Sequence, residues 1–188
     1  MNLHFPGITL LPPIIVYIAL VVNLKKLRNH TSWLSIGKID RLTFILMAMM
    51  TMISAIALVA WAYALKPDLN KFLEWIPSWS RPVLILGGVG FALFNSFVEE
   101  LIFRGILWEG LTSSIRSNVL ITILQALIFG LWHYRGFPGG ISGVFMVFVW
   151  GIFLGLVRNR SKGMLAPMVS HFFADLAIFS ILYIMLQR

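Results

Sequence analysis

The chain has 188 residues, 59% hydrophobic and 12% charged, with a mean hydropathy of +0.89. A soluble domain carries about 25% charged residues, so the composition excludes one and predicts a single all-α, multi-pass transmembrane bundle. The net charge of +8 comes from 15 basic and 7 acidic residues. Because the basic residues flank apolar runs, they read as topology signals and not as a nucleic-acid surface. There is no cysteine, which excludes disulfides, a thiol nucleophile and thiolate metal ligands.

Six spans are predicted, each close to the ~20 apolar residues that cross hydrocarbon. The first runs from about Gly7 to Leu24. Nothing basic precedes it and no small-x-small cleavage site closes it, so it reads as a retained helix and not as a signal peptide. The second runs from Thr43 to Leu65. The loop from Lys66 to Arg81 carries Trp75 and Trp79, suited to a membrane interface and a short surface helix. The third starts at Pro82 and continues past Phe97 towards Gly110. The fourth, about Val119 to His133, is short and ends in a break at Gly136, Pro138, Gly139 and Gly140. The fifth is about Ile141 to Val157, and its Gly151 and Gly155 predict close helix packing. The sixth is Leu165 to Leu186. The basic loops 25–41 and 158–162 fall on one side, which the positive-inside rule makes cytoplasmic in a cell membrane. Residues 1–81 form a predicted N-terminal transmembrane hairpin with an interfacial loop, and residues 82–188 a helical core.

Charges at membrane depth cost about 2.5–3.5 kcal/mol each and mark function by default. In Phe97-Val98-Glu99-Glu100-Leu101-Ile102-Phe103-Arg104, Glu100 and Arg104 stand i and i+4 on one face, spaced for a buried bidentate pair. Glu99 is rotated about 100° away and remains a free carboxylate. His133 closes the fourth span one turn after Phe129. His171 and Asp175 stand i and i+4 in the sixth. A His–Asp pair at that spacing can position an imidazole, bind a metal or donate to an oxyanion. Three helices thus bring Glu99, Glu100, His133, His171 and Asp175 into the membrane, equipment for general-base activation of water and oxyanion stabilisation. Peptide hydrolysis is the natural reaction class. No His-Glu-x-x-His and no Gly-x-Gly-Asp is present. Gly140-Ile141-Ser142-Gly143 fits a rhomboid-type Gly-x-Ser-Gly, but that reading leaves Glu99, Glu100 and Arg104 unexplained.

These motifs resemble the CPBP family, the CAAX proteases and bacteriocin-processing (Abi) enzymes. Glu99, Glu100 and Arg104 match its Glu-Glu-x-x-x-Arg, Phe129 and His133 its Phe-x-x-x-His, and His171 and Asp175 its His-x-x-x-Asn/Asp. Phe148, Gly151, Gly155 and Leu165-Ala166-Pro167 also look like the family, over roughly Pro82 to Leu186. The resemblance implies an intramembrane endopeptidase acting on a membrane-associated peptide or protein. Glu99 and His133 would activate water, His171 and Asp175 would stabilise the oxyanion, and Glu100–Arg104 would hold the site together. An ionised Asp175 would repel an oxyanion, so it must be protonated, orient His171 or bind a metal. Glu99, His133 and His171 would be an acceptable zinc set, but a metal-free glutamate mechanism with no cofactor is the expectation. Two other readings stand beside this one: a non-catalytic bacteriocin-immunity protein that binds a toxin or its receptor, and a small transporter with a proton relay, which the lack of repeat symmetry disfavours. Counting along the spans places His133 towards the outer end of the fourth and His171 in the cytoplasmic half of the sixth. The two meet only if the fourth span starts earlier, tilts or is re-entrant.

Overall fold

The computed structural model describes residues 6–29, 31–74 and 76–187. Among them the regular structure is entirely helical. Six helices correspond to the six expected spans: α1 (Pro6–Asn23), α2 (Arg41–Leu65), α3 (Arg81–Thr112), α4 (Asn118–Trp132), α5 (Gly140–Ser161) and α6 (Leu165–Leu186). Of these, α2, α3, α5 and α6 are long and apolar enough to cross a membrane, while α1 contributes a shorter apolar stretch, Leu11–Asn23. At 15 residues, α4 is about 22 Å long, short of a full crossing. The loop before α3 carries a one-turn helix, Asn70–Leu73. Trp79 is exposed there, and Trp75 lies outside the described residues.

Helix ends follow local chemistry. Asp40 caps α2, its Oδ1 accepting the Thr43 N–H at 2.8 Å, which satisfies one of the donors a helix start leaves orphaned. Arg160 adds a 2.8 Å ion pair to Asp40 Oδ2. These contacts, the Thr43 hydrogen bonds foremost, hold the exposed Asp40 carboxyl below the usual carboxylate range. Pro82 sits in the first turn of α3, where its missing N–H costs nothing.

The two basic loops meet at one end of the bundle. Lys38 N–H donates to Ser161 O at 2.8 Å, and Met164 N–H to Ser35 O at 2.9 Å. This lacing needs two glycines in contact: a Cβ on Gly163 would lie 2.1 Å from Gly37 N. The same segment donates Ser32 N–H and Trp33 N–H to Glu109 Oε1. At the opposite end, Trp61 Nε1 donates to Ser142 Oγ at 3.1 Å, and Phe137 packs on Trp61 and Phe72.

Among the described residues the helices pack through three apolar clusters. Met47, Phe153, Val157 and Ala166 join α2, α5 and α6. Phe103, Phe129, Val147 and Leu154 join α3, α4 and α5. Ile14, Val98 and Leu101 join α1 to α3. Outward faces carry exposed Phe44, Ile56, Leu86 and Ile141, as lipid contact demands. The α4–α5 approach is close, as Gly151 and Gly155 predict. A Cβ on Gly151 would lie 3.0 Å from Ala126 Cα, and one on Gly155 2.7 Å from Gln125 Nε2.

Candidate active site

The polar core is built on α3. Between Leu101 and Leu107 this helix widens into a π-helical stretch, a form frequent at functional sites. Glu100 stands immediately before it and Arg104 in its middle, both with no solvent exposure. Their ion pair forms, with Arg104 Nη1 donating to Glu100 Oε1 at 2.9 Å. It is not the bidentate pair that the spacing suggests. Arg104 Nη2 turns to Gly151 O at 3.3 Å, and the guanidinium carbon lies 4.4 Å from the centre of the Phe129 ring. Glu100 uses the same Oε1 for His171 Nδ1, at 2.7 Å. The fork does not form because Arg104 divides its two Nη groups between Glu100 and Gly151 O, and Glu100 Oε2 is left without a partner.

Each histidine has one ring nitrogen tied down. His133 Nδ1 lies 3.0 Å from Phe129 O. A carbonyl only accepts, so Nδ1 carries a proton and donates to it, and Nε2 is left for other partners. His171 Nδ1 donates to Glu100. Both Nε2 atoms then converge on Glu99 Oε2, at 3.8 Å from His133 and 3.5 Å from His171. Glu99 Oε2 is itself buried without a hydrogen bond. Phe129 is the wall against which both imidazoles stand edge-on, with ring centres 4.6 Å and 5.9 Å away.

His171 and Asp175 do not hydrogen-bond. Nε2 to Oδ1 is 3.7 Å, beyond hydrogen-bond length. Glu100, not Asp175, orients the imidazole. Asp175 Oδ2 instead accepts from Asn95 Nδ2 at 3.1 Å.

All five ends, Glu99, Asn95, His133, His171 and Asp175, line one cavity of about 1190 Å³. The rest of its wall is mostly apolar, including Ile53, Ala57, Phe91 and Leu182. Ser142 is not part of that wall; it accepts the Trp61 hydrogen bond described above, and the rhomboid-like motif forms the start of helix α5.

The depth conflict between His133 and His171 resolves through helix lengths. From Glu99 to the end of α3 at Thr112 is about 20 Å, and from Asn118 to His133 about 22 Å, at 1.5 Å per residue. The two arms of the α3–α4 hairpin therefore bring Glu99 and His133 level. His171 lies only about 9 Å into α6, so the hairpin extends beyond the start of α6 at the basic-loop end.

Sequence reasoning missed several buried polar residues, Asn95, Gln125, Arg158 and Ser170 among them. Asn95 stands four before Glu99 on the same face of α3, a spacing that could have singled it out. Gln125 donates to Gly151 O at 2.8 Å and to Thr122 O at 2.9 Å. Arg158 is 4% exposed and donates from Nε to Arg104 O at 3.3 Å and from Nη2 to Ser32 Oγ at 2.9 Å. Ser170 Oγ is buried with no partner. Nothing in the sequence marks these three apart from ordinary polar helix positions.

The candidate zinc set, Glu99, His133 and His171, converges on Glu99 Oε2 at 3.5–3.8 Å. Among the described residues no group of three or more His, Asp or Glu side chains is arranged to hold an ion.

A search of curated proteins and a search of solved structures return no match. A family model described as "Type II CAAX prenyl endopeptidase Rce1-like" matches residues 81–177. That range takes in Glu99, Glu100, Arg104, His133, His171 and Asp175, and it covers more than half of the chain. With the helical membrane bundle and the three motifs in order, the match establishes that the chain belongs to the Rce1-like family of CAAX-type membrane endopeptidases.

Proposed function

We propose that the chain hydrolyses a peptide bond in a membrane-associated substrate, with Glu99 as the general base and no metal ion in the step. One observation carries this reading: two imidazole Nε2 atoms and an unbonded carboxylate oxygen converge in one apolar cavity. His133 Nε2 and Glu99 Oε2 are close enough to share one water. Glu99 takes a proton from that water while His133 accepts its other hydrogen bond. The oxygen attacks the scissile carbonyl carbon, whose oxygen becomes the oxyanion. His171, tied through Nδ1 to Glu100, meets the oxyanion from Nε2 as an imidazolium, and Asp175 offers a second donor as the neutral acid. Glu99 then passes its proton to the leaving nitrogen. The products are a new carboxylate and a new amine, with one water consumed. Arg104 does not touch the substrate; it fixes Glu100, which fixes His171.

The family's printed name supplies the substrate class for a first test, a peptide bearing a prenyl lipid. The apolar walls beside Asn95 and Glu99 suit such a chain. The positive-inside rule places the loops at 25–41 and 158–162 in the cytoplasm, and the site then lies nearer that face. The test is release of the C-terminal fragment from a farnesylated CAAX peptide by the full chain in proteoliposomes. Activity that survives a strong zinc chelator and disappears in Glu99→Gln supports the reading. Activity abolished by the chelator and restored by added zinc would replace it with a metal mechanism. Activity retained in Glu99→Gln would remove Glu99 from the chemistry.

A further inference from the structure

We infer that Asn95 is the positioning residue that decides which edge of residue 175 faces the reacting carbonyl. The inference deepens the endopeptidase reading above and rests on it. Asn95 is 8% exposed on α3 and Asp175 is 7% exposed on α6. Their 3.1 Å hydrogen bond crosses the interface between these helices. Both residues line the cavity. The bond is the one hydrogen bond to the Asp175 carboxyl among the described residues, and it engages only Oδ2. Oδ1 is left 3.7 Å from His171 Nε2, without a hydrogen bond.

The two edges of the carboxyl are therefore not equivalent. A carboxyl can stabilise an oxyanion only by donating, and it donates only from the oxygen that carries the proton. Oδ2 already accepts the amide N–H, so the proton's place is Oδ1, next to His171 Nε2. Asn95 reaches no reacting atom itself. It acts by holding the acceptor edge of residue 175 away, so that the donor edge faces the substrate. The charge environment makes this orientation matter. Glu99 and Glu100 approach His171 at 3.5 Å and 2.7 Å, and an acceptor edge turned towards the same place would add a further negative end to be met by the oxyanion.

This account separates a positioning role from a structural clasp. In Asp175→Asn, the Asn95 amide selects the new carbonyl oxygen and leaves the new NH2 group as the donor edge. In the exchange Asn95→Asp with Asp175→Asn, the hydrogen bond between the helices is restored, but in the reverse direction. The NH2 group of residue 175 is then spent on residue 95, and its carbonyl turns to the substrate. Asn95→Leu keeps the bulk and removes the donor.

The experiment assays these three forms and Glu99→Gln as full chains in proteoliposomes, with the farnesylated peptide, and measures thermal unfolding of each. The expected result is an inactive Glu99→Gln; the activity of Asp175→Asn, in which residue 175 still presents a donor edge, is the reference against which the exchange is read. Asn95→Leu and the exchange should each lose about 10- to 100-fold in kcat with KM little changed, the scale of a misplaced catalytic group. The exchange should unfold at the same temperature as Asp175→Asn. An exchange as active as Asp175→Asn, an inactive Asp175→Asn, or full activity in Asn95→Leu would overturn the inference. If Asn95→Leu fails to fold, the comparison of the exchange with Asp175→Asn decides alone. Activity in Glu99→Gln would instead overturn the endopeptidase mechanism on which the inference stands.

Discussion

Arg104→Met tests the buried network most sharply. The substitution leaves Glu100 with no solvent exposure, its Oε2 without a partner and His171 as the one remaining group on Oε1. Breaking a buried pair from one side costs about 3–5 kcal/mol, because an uncompensated charge stays behind. The arginine's contact with the Phe129 face and its bond to Gly151 O are part of the same loss and are not added to it. Neutralising the partner as well should recover most of the deficit, since an apolar and neutral replacement of a buried pair is often close to neutral in stability. The double form Glu100→Gln with Arg104→Met is therefore expected to be more stable than Arg104→Met alone. It should still be a poor catalyst, because a neutral amide supports a His171 imidazolium less than a carboxylate does. Unfolding by graded denaturing detergent, with helical circular dichroism as the readout, gives the stabilities of the native, single and double forms. A single variant that loses less than about 1 kcal/mol, or a double no more stable than the single, would refute the argument that Glu100 and Arg104 are a mutually dependent buried charge couple.

Other expectations follow from the same contacts. Gly155→Ala should destabilise by about 1–3 kcal/mol in the same unfolding assay, because the new methyl meets Gln125 Nε2, which is held on Gly151 O. His133→Ala should lower kcat by about 100- to 10,000-fold, the span of a general acid–base contribution, with no comparable loss of stability. Asp40 is held below the ordinary carboxylate range in the folded chain. Its cap therefore contributes fully above the ordinary value near ~4, and the contribution is lost as pH falls through the lower folded value. Unfolding followed from pH 7 downwards should show an acid-side loss that Asp40→Asn, which keeps the cap, reduces.

The spans and the motif triad were legible because both rest on local information. Apolar runs of fixed length mark helices in lipid, and i, i+4 spacing puts Glu100 beside Arg104 whatever the tertiary fold. What spacing could not show is which partner each polar atom selects. Glu100 is shared between Arg104 on its own helix and His171, 71 residues later, and the expected fork is lost because the second Nη group of Arg104 goes to Gly151 O. Asp175 looked like the partner of His171 because both lie on one turn, yet its hydrogen bond goes to Asn95 on α3. His133 does stand at the end of α4 and His171 in the first half of α6; what counting could not show is that the α3–α4 hairpin extends beyond the start of α6 and so brings them level. The π-helical stretch after Glu100 left no mark in composition beyond Gly105. Gln125 and Arg158 are polar residues in apolar helices whose acceptors, Gly151 O and Arg104 O, are backbone atoms and carry no sequence signature.

The central claim is that Glu99 activates water for peptide hydrolysis. It is tested most directly by comparing the termini of membrane proteins in cells carrying the native chain and cells carrying Glu99→Gln. The account predicts new termini that appear only with the native chain, on proteins held at the membrane, and these would name the substrate and the face of the bilayer on which it is cut. Identical termini in the two strains, with the protein's biological effect intact in Glu99→Gln, would contradict it and point to a binding role for the same cavity.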